Sequence, residues 1–107
     1  MTDQETNRKL ALAIGWSTKR MWIEDGEVLL LDLSPGRHGP LWRVFDYRDW
    51  RVAGPIAQRY DCFPFCAGGG WCNFPNGEIR LSSRYNRTPQ EAIAMAVIEM
   101  HQRGRLK

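Results

Sequence analysis

Cys62, Cys66 and Cys72 are spaced C-x3-C-x5-C. Thiols this close can bind metal, exchange disulfides or act as nucleophiles. A structural zinc site takes four ligands, usually as two close pairs. The histidines, His38 and His101, are both remote in sequence, so a Cys3His site would need convergence in space. A catalytic thiol needs a neighbouring base, and no Cys–His motif accompanies these residues. Cysteine also packs as a small apolar side chain, and Cys62 in "RYDCF" suits that role. Asp46 and Asp49 flank Tyr47-Arg48 in "DYRD". Paired carboxylates can do acid–base work, but at a turn they more commonly cap backbone N–H groups or pair with nearby arginines, here Arg48 and Arg51. The run "AGGGW" lacks both the Lys-Ser/Thr ending of a phosphate loop and the GxGxxG spacing of a dinucleotide site. It reads as a flexible connection. No enzyme activity, cofactor or metal is expected from these groups.

Binding is the chemistry that remains. The chain has 5 Trp in 107 residues, and Trp and Arg are enriched where interfaces concentrate their energy. The candidate contact residues are Trp22, Trp42, Tyr47, Arg48, Trp50, Phe65, Trp71, Arg80 and Arg84, while Trp16 is expected at the edge of the core. Arg80 and Arg84 fall on one face of a strand, where Arg and aromatic groups can stack single-stranded nucleic acid. The charge distribution favours a protein partner instead. Lys and Arg total 15 against 12 Asp and Glu, a net charge of +3, and Arg103, Arg105 and Lys107 at the C-terminus supply the whole excess. The body of the chain is therefore neutral, whereas nucleic-acid binding draws on clustered positive charge. A protein partner is the first expectation and nucleic acid the alternative.

These residues need a folded frame. Apolar residues make up 43% and charged residues 25%, ordinary for a soluble domain. The length suits one domain, residues 1–102, followed by a basic tail, 103–107. No apolar run approaches the roughly 20 residues that span a bilayer, and "MTDQETNRKL" has no signal-peptide segment. With three cysteines, an odd number, a reducing cytoplasmic setting is expected.

Thr2 and Glu5 have capping-box spacing, predicting a helix over 3–14 that Gly15 ends. Asp25-Gly26 predicts a hairpin between strands 21–24 and 27–33. Leu29, Leu31 and Leu33 form a wholly apolar set and are expected to face the core, with Val28, Leu30 and Asp32 outward. A loop over 34–40 and a strand over 41–48 follow. Gly54-Pro55 marks the start of a short helix, about 53–62, with Ile56, Ala57, Tyr60 and Phe63 on its buried side. A second hairpin joins 71–74 to 78–85 across Pro75-Asn76-Gly77. Thr88, Pro89 and Glu91 then cap a final helix that buries Ile93, Ala96, Val97 and Met100 and closes at Gly104. This order predicts an α+β fold with a mainly antiparallel sheet covered by helices.

The helix ending in "LAIGW", the central "FDYRDWRVAGPIAQRYDCFPF", the hairpin and the terminal "RTPQEAIAMAVIEM" resemble, in that order, the phage ABA-sandwich domain family. The resemblance covers roughly residues 7–101, and "GPIAQRYDCFPF" and "TPQEAIAMAVI" are its most specific parts. It implies a three-layer α-β-α sandwich in a small phage or prophage protein, and it offers no catalytic residue. It also implies an accessory role: phages use many short genes to block or redirect host machinery, including CRISPR and other defences. The expectation is a non-enzymatic cytoplasmic protein that binds a host protein.

Overall fold

A computed structural model of the chain describes residues 1–33, 39–73 and 86–104. Among these, three helices and two small antiparallel sheets form an α+β fold. Helix α1, Asp3–Ala13, starts where expected: the Thr2 hydroxyl accepts the N–H of Glu5 at 3.2 Å. It ends in a left-handed Gly15 (φ 109), with the N–H of Trp16 donating to the carbonyl of Ala11. That closure turns Trp16 back against the core.

Strands β1, Met21–Glu24, and β2, Glu27–Asp32, pair across Asp25 and Gly26, both at positive φ (50 and 78), as a two-residue hairpin turn requires. Strand β3, Leu41–Phe45, pairs with the other side of β2, giving the order β1-β2-β3. It stops at Phe45, short of the expected 48, because Asp46 accepts the N–H of Arg48 and bends the chain.

Helix α2, Trp50–Tyr60, begins three residues before the expected start. The carboxylate of Asp49 caps it by accepting the N–H of Arg51 at 2.9 Å. Pro55 therefore lies inside the helix, where it cannot donate to the Arg51 carbonyl. Burial of Ala53, Ile56 and Ala57 offsets that loss. Asp61 takes a left-handed conformation (φ 51) and ends the helix, which leaves Phe63 exposed instead of on the buried side.

Strands β4, Phe65–Ala67, and β5, Gly70–Cys72, make a small hairpin about Gly68 and Gly69 (φ 59 and 83). The expected flexible connection is thus a tight turn of the Gly-Gly type, which only glycine adopts without strain. Most of the expected hairpin over 71–85, including Arg80 and Arg84, lies outside the described residues. So do most of the 34–40 loop and the end of the basic tail.

Helix α3, Pro89–Gln102, keeps its predicted cap, the Thr88 hydroxyl accepting the N–H of Glu91 at 3.1 Å. It is buried nearly all round: Ala92, Ile93, Ala94, Ala96, Val97, Ile98 and Met100. Alternating small and branched side chains let it lie against both α1 and α2. No helix among the described residues is long and apolar enough to cross a membrane.

Candidate functional site

The three-stranded sheet has two unlike faces. The register sets Val28 opposite Ile23 and Phe45, and Leu30 opposite Met21 and Arg43. Directly opposed residues share a face. Val28, Leu30 and Phe45 join one core cluster with residues of all three helices. The expected orientation of β2 is therefore reversed: Val28 and Leu30 point inward, while Leu33 is exposed. Asp32 lies on the inner face but at its end, where it pairs with Arg43 (Nε to Oδ2, 2.8 Å). A carboxylate at the rim can stay hydrated, so its place in the alternation does not decide which face is buried.

The outer face carries Trp22, Leu29 and Val44 in one row, with Leu31 and Trp42 in the next. Trp22 is 57% exposed, Trp42 49% and Val44 55%, and Leu29 and Leu31 are half-buried between the indoles. Trp22 and Trp42 stand on the two outer strands, diagonally across β2. A contiguous apolar surface of this kind is of the size of the largest patch on a typical monomer, and such patches are often functional. Sequence reasoning named both tryptophans but missed Leu29, Leu31 and Val44. The signal was the equal apolarity of the two faces of β2.

The other candidates are dispersed. Tyr47 is buried, 4% exposed, so its surface is not offered to a partner. Its hydroxyl donates to Asp3 Oδ1 at 2.6 Å and its N–H to the buried Asn7 Oδ1 at 2.7 Å. Arg48 is exposed, but its guanidinium holds Asp46 at 2.9 Å and Asp3 at 3.2 Å. The Gln90 amide donates to the Arg48 carbonyl at 3.1 Å. "DYRD" is thus a clasp joining the sheet to α1 and α3, with both carboxylates used for capping and pairing. Trp50 is half-exposed at the start of α2, Phe65 is exposed on β4, and Trp71 is half-buried with its backbone bridged to Asn86.

The clasp has a pH signature. The Arg48 guanidinium bonded to Asp46 holds that carboxyl below its ordinary range, more than offsetting its partial burial. Burial first, then the hydrogen bond to Asp3, pushes the Tyr47 hydroxyl well above its ordinary 10. A raised folded-state value means that stability is complete below pH 10 and falls as pH rises beyond it. Equilibrium unfolding measured from pH 8 upward will show this decline, and Tyr47→Phe will flatten it.

Cys62 and Cys72 are buried and Cys66 is exposed. Asn73 donates its side-chain N–H to the Cys62 carbonyl, tying β5 to the end of α2. Burial, with the charge of Asp61 adding to it, pushes the Cys62 thiol up to about 12, which suppresses the thiolate. No three His, Cys, Asp or Glu side chains group as a metal site among the described residues. Iodoacetamide will alkylate Cys66 in the folded protein, whereas Cys62 and Cys72 will react only on unfolding; peptide mass spectrometry reads both.

No family model, curated protein or solved structure matches the chain.

Proposed function

We propose that this chain is a non-enzymatic binding protein that docks another protein on the outer face of its sheet. The observation that supports this reading is the open apolar surface of Trp22, Leu29, Leu31, Trp42 and Val44. Among the described residues the helices pack one face of the sheet, and a partner docked on the other would add a layer there, giving the α-β-α arrangement that the resemblance implies. The surroundings suit a protein more than a nucleic acid. Beside this face the exposed Lys19 and Arg20 are set against three acidic residues, and elsewhere Arg43, Arg48, Arg51 and Arg103 are each held by a carboxylate. The hairpin beside the apolar surface is acidic, with Glu24, Asp25 and Glu27. Phosphate binding draws on unneutralised positive charge.

With the phage resemblance, the setting is a phage or prophage accessory protein in the host cytoplasm. Its target would be a host protein, such as a component of CRISPR or another defence system. The test is capture with a tagged chain from a bacterial host lysate, washed at rising salt. The expected result is one host protein, retained in stoichiometric amount through high salt because an apolar contact is little screened. Recovery of nucleic acid instead, released steeply as salt rises, would contradict the reading.

A further inference from the structure

From the shape and charge of the outer sheet face, we infer that in the free protein a second copy of the chain covers it. The inference rests on the reading of this face as a protein-binding surface, and it names the occupant present before any host protein arrives.

Aromatic side chains carry about 150–250 Å² each. With Trp22 57%, Trp42 49%, Val44 55% and Leu33 44% exposed, and Leu29 and Leu31 partly so, the face offers on the order of 500 Å² of apolar surface. A stable interface takes about 800 Å² from each partner, a little over half of it apolar. One face of this sheet meets the apolar share of that requirement, and two such faces pack as sheets do in a sandwich, about 10 Å apart.

The charges at the two ends of the strands fix the arrangement. Lys19 and Arg20 immediately precede β1, while Glu24, Asp25 and Glu27 lie at its hairpin end. All five are exposed, and none is in an ion pair among the described residues. A symmetric dimer joins the same surface on both copies. If the two-fold axis runs between the sheets and across the strands, the second copy's strands point the opposite way. Each basic end then lies over the other copy's acidic end, and β1 lies over β1. An axis along the strands would instead stack glutamates on glutamates, which costs free energy. The crossed arrangement is the one the charges favour. A host protein that uses this face takes the place of the second copy.

Sedimentation equilibrium over a concentration series tests this. The wild type is expected to reach twice the 12.4 kDa chain mass. Two charge-reversed proteins, Lys19→Glu/Arg20→Glu and Glu24→Arg/Glu27→Arg, should each lose roughly tenfold or more in self-association. Mixing the two should restore a dimer, now of unlike chains. Trp22→Ser/Trp42→Ser should remain monomeric, with an unchanged far-UV circular dichroism spectrum. A wild type that stays monomeric throughout would overturn the inference while leaving host-protein binding standing. A dimer that survives the tryptophan changes would also overturn it, since the copies would then meet elsewhere. A dimer lost with the tryptophans but indifferent to charge reversal would contradict the crossed arrangement.

Discussion

Ile93→Ala lowers the free energy of unfolding by about 2–5 kcal/mol, the range for deleting a fully buried branched side chain. Ile93 is 0% exposed and stands mid-helix in α3, the element packed against both other helices. Ile93 belongs to the core cluster with residues of all three helices and the sheet, so the deletion leaves a cavity inside that cluster, and how far it collapses sets the place within that range. A domain of this size is stable by about 5–15 kcal/mol in total, so the change removes a large share. Urea unfolding will show a lower midpoint with an unchanged slope. Trp42→Ala at the outer sheet face provides the contrast: measured where the chain is monomeric, its shift should be about 1 kcal/mol, the scale of one lost cross-strand contact, because the indole is half-exposed.

At the interface the order reverses. Trp42→Ala weakens binding of the captured host protein by about 30- to 1,000-fold, the effect of truncating an aromatic anchor. Trp42 stands on the outer strand β3, directly opposite Leu31 of the central strand, and its exposed indole is among the largest side chains of the apolar surface. The loss should appear mainly as faster dissociation, because the side chain is uncharged and does not steer encounter. Surface plasmon resonance separates the two rates. Arg48→Ala should leave both nearly unchanged, since its guanidinium is engaged by Asp46 and Asp3 within the same chain.

The parts of the fold legible in the sequence were those set by local chemistry. Thr2 and Thr88 cap their helices, and Asp25-Gly26 turns the first hairpin, because each acts on backbone groups within a few residues. The α2 boundary misled because Pro55 suits a first helical turn, yet the Asp49 cap and the buried Ala53 extend the helix past it. The facing of β2 was decided by long-range packing. Both faces of that strand are apolar, and the sequence carries no mark for which one the helices cover. Asp32 pointed the wrong way because its partner, Arg43, comes from another strand. The candidate site was legible in its tryptophans alone. Leu29 and Leu31 read as core residues, and Val44 had no assigned face, until the pairing register showed all three on the open side.

The central claim is that the outer face of the three-stranded sheet is where this protein grips its partner. Calorimetric titration of the captured host protein into Trp22→Ser/Trp42→Ser, beside Trp50→Ser from the separate surface on α2, tests it most directly. The account predicts no measurable heat with the double substitution and near wild-type affinity with Trp50→Ser. Undiminished binding by the double substitution, with loss on changing Trp50, would contradict it.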